Sequence, residues 1–287
     1  MATSSGLHIA VRVRERSPGA GAPDAADLLA GLRARPRRLR LPYDEADHEL
    51  AERVRGVPAY YPRECELRLL DEHLPEIARE VGAGVRVLAP GQQLEVRRLV
   101  RALDRPAGTG EARLGDELDG GPGTLVYLPG TPADELEPHD AVQRLARLAR
   151  PGAQLLLASD GTRDRSALVA AYDDDEGLTA ELERCALAHL ACTRGLELES
   201  ARFERRVIWN ELRARVEVVL VARGAQAIGT AAGSVELAAG EPIVVRQVYK
   251  HSLHAMRGLL VAAGWHVTVV YAARAREVRL WLCTRPA

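Results

Sequence analysis

The stretch VRVLAPGQQLEVRRLVRAL, residues 85–103, joins an apolar strand pattern to an amphipathic helix pattern through an Ala-Pro-Gly turn. This alternation constrains the fold more than any other feature of the chain. It recurs downstream: TLVYL at 124–128 precedes a helical pattern over 139–150 that stops at Pro151-Gly152, and AQLLLAS follows at 153–159. Strands alternating with helices imply a parallel sheet covered by helices. The intervening segment 104–123, DRPAGTGEARLGDELDGGPG, is rich in Gly and Pro and has almost no apolar periodicity, so it is expected to be loop with at most one turn of helix. A complete parallel crossover, which takes about a dozen residues before its strand is counted, does not fit there. The sheet is therefore expected to be truncated.

The flanks read differently. Residues 1–22 are rich in Ser, Gly, Ala and Pro and are expected to be a flexible N-terminus. Helical patterns follow over 24–34, 44–54 and 64–80. Beyond 164, helices over 165–173 and 176–194 lead into strands over 203–210, 214–221 and 242–249, with antiparallel-type alternation such as RVEVVLVA. A helix over 252–263 and strands over 266–272 and 277–283, spaced as a hairpin, complete the pattern. This order implies an α/β core with a second, α+β portion.

Composition narrows the function classes. The formal net charge of −1 gives no general attraction to nucleic acid or an anionic membrane, and the basic run RARPRRLRLP at 33–42 reads as a solvated segment. The start lacks the apolar run of a secretory signal, and no apolar run has the length of a membrane span, so a cytoplasmic location is expected. Cys65, Cys185, Cys192 and Cys283 are scattered without a CxxC pair, which suits reduced thiols. Cys185, His189 and Cys192 share one helical face, but so do Leu178 and Leu182, and no fourth ligand is near in sequence. That face reads as a buried stripe and no metal is expected. There is no GxSxG elbow, P-loop or HExxH.

Several segments carry a resemblance. YDEADHELAERVRGVPAYYPRECELRLL (43–70), YLPGTPADELEP (127–138), AAYDDDEGLTAEL (170–182), RVEVVL (215–220) and VYKHS (248–252) resemble, in matching order, the histidine-specific Nα-methyltransferases of ergothioneine biosynthesis. The resemblance runs from about Leu41 to the C-terminus. It implies a Rossmann-like class I methyltransferase core, here over 62–164 and 246–287, that takes S-adenosylmethionine. It also implies an α+β substrate domain over 23–61 and 165–245, with an amino-acid-like small molecule between the two. Clefts between domains are in any case the usual ligand location.

Residue by residue, this sequence departs from the family pattern. The cofactor loop of the family, close to ELGSGSS, corresponds to Val87-Leu88-Ala89-Pro90-Gly91-Gln92-Gln93: the acidic residue becomes Val87, the first glycine becomes Ala89, and only Gly91 remains. Pro90 removes a backbone donor and restricts Ala89. The acidic residue that ends the second strand and holds the ribose is expected to be missing, because 104–123 reads as loop. Asp116 corresponds to the aspartate that contacts the adenine, with Glu117 in place of an aromatic; its alternative role is that of a polar loop residue.

On the substrate side, Tyr43, Tyr61 and Tyr172 correspond to substrate-facing tyrosines, and Glu135 to the asparagine that grips the amino-acid backbone groups. The imidazole-recognising pair of E-x-S-x-K becomes Arg246 and Val248, and a nearby methionine becomes Val218. Arg246 cannot accept a hydrogen bond from a ring N–H, and Val248 can make none, so histidine is not the expected substrate. Tyr43 and Glu135 are the candidates for a general base. Together these departures imply a degenerate cofactor site and a non-catalytic subunit beside an intact methyltransferase relative. The alternatives are an active amine N-methyltransferase of altered, anionic specificity and a cleft-type ligand-binding module.

Overall fold

The computed structural model describes residues 24–43, 47–91, 93–114, 116–118 and 120–286; the N-terminal segment expected to be flexible, together with Gln92 and Gly115 of the quoted motifs, lies outside them. The alternation that begins at residue 85 builds a six-stranded sheet. Its parallel part comprises β2 (Arg86–Ala89), β3 (Gly108–Glu111), β4 (Thr124–Leu128) and β5 (Gln154–Asp160), and two antiparallel strands, β11 (His266–Ala272) and β12 (Val278–Thr284), extend it in the order β11-β12-β5-β4-β2-β3. Every residue of β4 is buried, as a strand covered on both faces must be.

Helices α3 (Tyr61–Val81) and α4 (Leu94–Ala102) cover one face, where Leu70, Ile77 and Leu99 pack with Leu125, Leu156 and Leu280. Helices α5 (Pro138–Arg147) and α8 (Leu253–Ala262) cover the other, with Leu145, Met256 and Leu260 around Trp265 and Trp281. Both indoles keep a partner: Trp265 donates to the Leu145 carbonyl at 2.9 Å and Trp281 to Ser159 Oγ at 2.7 Å.

Strand β3 corrects the expectation for 104–123. Residues 108–111 pair in parallel with β2, from Arg86 opposite Gly108 to Ala89 opposite Glu111. The crossover helix of this unit is α4 itself, which precedes the segment, so only the loop 104–107 and a short strand had to fit after Leu103. The strand GTGE is an exposed edge and therefore shows no apolar alternation. A side chain at Gly110 would bring its Cβ within 2.9 Å of Leu88 Cδ2, which accounts for one of the glycines that disguise it. Among the described residues the return from β3 to β4 contains no helix, and β3 is the edge strand of the sheet.

The second sheet is four-stranded, in the order β1 (Arg37–Arg38), β10 (Pro242–Tyr249), β7 (Arg215–Ala222), β6 (Phe203–Asn210). Helix α1 (Ala25–Arg33) and helix α7 (Leu178–Arg194) supply Leu28, Leu32, Leu187 and Leu190 to a core shared with Leu220 and Ile243. Helix α2 (His48–Arg55) packs on α7 through Leu50, Val54, Leu178 and Leu182. A hairpin of β8 (Gln226–Thr230) and β9 (Gly233–Leu237) lies outside the sequence expectations, hidden by its Ala, Gly and Thr content. Arg37 departs from the solvated reading of the basic run: it is 6% exposed, donating to Glu241 at 2.5 Å and to the Glu236 carbonyl at 3.0 Å. Strand β10 runs through the domain boundary expected at 245/246, and its register against β7 shifts between Val244 and Arg246.

The two sheets meet at a buried ion pair. Lys250, just past β10, donates to Asp160 Oδ2 at the end of β5 at 2.7 Å, and both side chains are 0% exposed. Tyr61 of α3 donates to the same oxygen at 2.6 Å, and Lys250 lies 3.2 Å from the hydroxyl of Tyr172, the last residue of helix α6 (Arg165–Tyr172). The attraction holds the Asp160 carboxyl below and the Lys250 ammonium well above their ordinary ranges. Removing one member leaves an uncompensated buried charge, so Lys250→Met is expected to lose about 3–5 kcal/mol in urea unfolding. The double variant Lys250→Met/Asp160→Asn is expected to recover part of that loss, and a purely additive double mutant would contradict the coupling.

Candidate functional site at the sheet switch point

In an open parallel sheet, ligands sit at the carboxyl ends of the strands where successive connections run in opposite directions. Here the chain goes from β2 outward to β3, then back across β2 to β4, so the switch point lies between β2 and β4. Two turns converge on it: 89–91 after β2 and 129–135 after β4.

The first turn contains the expected cofactor residues. Ala89 is buried, and its carbonyl accepts from both Gly91 N–H and Ala112 N–H at 3.0 Å. Gly91 has φ +77°, with no atom within 4 Å of where a Cβ would project, so backbone and ligand can approach closely there. No side chain caps α4 behind it. Glu111, exposed at the end of β3 opposite Ala89, occupies the strand-end position of the acidic residue that was expected to be missing. The physical reason it escaped notice is the disguised edge strand that carries it. Asp116 is exposed, and its Oδ2 accepts from Arg113 N–H at 2.8 Å, a local turn contact that leaves Oδ1 available. An open glycine and a strand-end carboxylate fit a nucleoside with a vicinal diol, although Val87 and Ala89 contribute only apolar packing.

The second turn is unusual. Gly130 and Thr131 both have positive φ, +75° and +56°, a conformation that is uncommon for threonine. They lead into a 3-10 turn, Pro132–Glu135, that carries Asp134 and Glu135. Asp134 is 0% exposed; its Oδ2 accepts from Asp160 N–H at 2.8 Å, its Oδ1 has no partner, and burial pushes its pKa well above the carboxylate range.

Glu135 faces the other sheet. It binds Arg246 Nη2 at 2.5 Å, and the Arg246 guanidinium lies 5.2 Å from the ring centres of both Tyr43 and Tyr172. Four of the expected substrate residues thus form one cluster, with each ring at cation–π distance. Tyr61 stands beside it through the Lys250–Asp160 pair. Val218, opposite Arg246 across β7 and β10, and Val248 are each 1% exposed and pack into the two hydrophobic cores. Of the expected bases, Tyr43 has a buried hydroxyl with no partner, and burial pushes its pKa well above 10, so it holds its proton. Among the described residues no group of three or more His, Cys, Asp or Glu could hold a metal ion, and no helix is long and apolar enough to cross a membrane.

Residues that the sequence reading passed over are Glu66, Glu111, Asp134, Asp160 and Lys250. Lys250 and Asp134 stand within or next to quoted motifs, whereas Asp160 is simply the polar end of an apolar strand. Glu66 of α3 accepts from Tyr127 OH at 2.6 Å and from Gly130 N–H at 2.9 Å, so it fixes the turn after β4. Burial pushes its pKa from 4.5 up to about 7 despite those two hydrogen bonds. The folded group retains a proton that the unfolded one has lost, so folding takes up a proton between pH 4.5 and about 7, and stability falls as pH rises through that window. Glu66→Gln is expected to flatten the slope of urea midpoint against pH in this range; an unchanged slope would assign it to another group.

Comparison with known proteins supplies the remaining observation. The sequence pattern of a family described as histidine-specific methyltransferase, SAM-dependent, matches residues 24–115 and 113–285. A histidine N-alpha-methyltransferase of Mycobacterium tuberculosis (strain CDC 1551 / Oshkosh) is 28% identical over 283 residues, covering 84% of this chain and 88% of the relative. One from Mycolicibacterium smegmatis (strain ATCC 700084 / mc(2)155) is 28% identical over 302 residues, covering 90% and 94%. Among solved structures, an S-adenosylmethionine-dependent methyltransferase from Clostridium acetobutylicum ATCC 824 aligns with a TM-score of 0.41 at 6% identity, over 85% of this chain and 99% of that one. With the family pattern matched on both sheets and on both turns of the switch point, the chain belongs to the SAM-dependent histidine-specific methyltransferase family.

Proposed function

We propose that this protein binds S-adenosylmethionine at the switch point between β2 and β4 and does not methylate histidine. The observation that carries this reading is the Arg246–Glu135 pair between Tyr43 and Tyr172. A neutral imidazole needs an acceptor for its N–H and a donor for its other nitrogen, and a guanidinium can serve only the second. An imidazolium would meet the fixed positive charge of Arg246 in a site where that residue is 15% exposed and poorly screened. Arg246 thus disfavours both forms of histidine relative to a group that only accepts hydrogen bonds.

The cofactor, when bound, supplies an electrophilic methyl group on a sulfonium. The chain's own contribution begins with Gly91, whose missing side chain admits the ligand, and Glu111, whose carboxylate can accept from ribose hydroxyls. Neither candidate base is free: Tyr43 keeps its proton, and Glu135 is held by Arg246. Any methyl transfer would therefore rest on positioning an already neutral amine. A second reading, a non-catalytic subunit beside an intact relative, draws support from Val87, Ala89 and Pro90, which remove an acid, a glycine and a backbone donor from the loop.

Calorimetric titration with S-adenosylmethionine and S-adenosylhomocysteine tests the reading. Binding is expected, and Glu111→Ala should weaken it by about tenfold or more through loss of charge-assisted hydrogen bonds. No heat at millimolar cofactor, or methylation of histidine in a labelled-methyl assay, would overturn it. Binding without transfer to any amine would select the non-catalytic subunit.

A further inference from the structure

The Arg246 guanidinium is only half used. Carboxylates prefer the two-pronged edge of arginine formed by Nε and Nη2, where both oxygens are engaged. Glu135 contacts Nη2 alone, while Arg246 Nε is buried with no partner. The Tyr43 hydroxyl is buried and unpartnered as well, and its ring lies 5.2 Å from the same guanidinium. Native interiors rarely leave such groups unpaired, and those that do occur point to a missing ligand or a functional role.

The two members of the pair also differ in freedom. The Arg246 side chain is 15% exposed and held between two tyrosine rings, whereas that of Glu135 is 45% exposed at the end of a short 3-10 turn. Glu135 can swing into solvent; Arg246 cannot follow it. The neighbouring charges leave this balance intact, because Arg205 is bound to Glu183 at 2.6 Å and to Asp173 at 2.6 Å, and Lys250 is bound to Asp160. What remains is one fixed cation, one movable carboxylate and one spare hydroxyl.

We propose that the cluster around Arg246 binds a carboxylate-bearing, amino-acid-like small molecule, whose acid group takes the Nε and Nη2 edge of Arg246 with the Tyr43 hydroxyl beside it. Glu135 is a tethered carboxylate that this ligand displaces. The inference rests on the reading that histidine is not the acceptor, and it supplies the class of molecule that takes histidine's place. Recognition at Arg246 concerns the ligand's side chain, since this residue stands where the resemblance puts the pair that reads the imidazole.

Titration calorimetry with L-aspartate, L-glutamate and succinate, with L-histidine and L-lysine as comparators, tests it on the full chain. At least one acid is expected to bind while both comparators do not. Glu135→Gln removes the competing carboxylate and should tighten acid binding by about tenfold, whereas Arg246→Gln should weaken it by about a hundredfold. Arg246→Lys keeps the charge and the contact with both rings but lacks the two-pronged edge, and should weaken binding by about tenfold. Thermal unfolding of each variant separates a lost site from a lost fold; if Arg246→Gln does not fold, Arg246→Lys decides. The proposal is overturned if no acid binds either the wild type or Glu135→Gln, if the Arg246 variants bind acids as tightly as the wild type, or if histidine binds best. Cofactor titrations run in parallel keep the two readings apart: cofactor binding without acid binding sinks only this inference, and histidine methylation sinks the reading beneath it.

Discussion

The contact between Lys250 and Asp160 governs the rest of the molecule. It joins the end of β10 in one sheet to the end of β5 in the other, with no water-accessible surface on either side chain. Charges so placed are tolerable only when paired and hydrogen-bonded on their remaining sides. Tyr61, Tyr172 and Thr162 N–H meet that need, which draws α3, α6 and the loop after β5 to one point. Tyr172 links this cluster to the one around Arg246: its hydroxyl serves Lys250 and its ring serves Arg246.

The outer cluster repeats the inner one with a different outcome. Each consists of a cation, a carboxylate and tyrosines, but the inner ion pair is enclosed while the outer one keeps a spare N–H, a spare hydroxyl and an exposed acid. The same chemistry thus serves as structure where water is excluded and as a candidate recognition surface where one partner reaches solvent.

Much of this architecture is legible in the sequence because burial imposes period. TLVYL and AQLLLAS are almost continuously apolar since both faces of β4 and β5 are covered. Strand β3 was illegible for the opposite reason: an edge strand in GTGE is held by backbone pairing, which leaves no mark on side chains. The hairpin β8–β9 does bury Ile228, Val235 and Leu237, but its Ala, Gly and Thr content hides that pattern. In the candidate site, resemblance supplied the tyrosines, Glu135 and Arg246 as separate positions. Their union into one cluster needed the third dimension, because Glu135 and Arg246 are 111 residues apart in the chain. The inner ion pair was invisible for a related reason: nothing in an isolated Asp or Lys reports that a fold has buried it opposite its partner.

The register shift in β10 has a consequence for how such a site can diversify. Upstream of it Ile243 enters one core, joined by the extra residue Val245; downstream the even-numbered Val248 enters the other, and Arg246 shares its parity. The extra residue acts as a gear between two packing problems, letting a single strand satisfy both. Since side chains alternate across a strand, the charge presented to the cleft is set by the position of this irregularity as much as by the residues beside it. An insertion or deletion in β10, several residues from any ligand, could exchange Arg246 for its neutral neighbour Gln247 without a single substitution in the cleft.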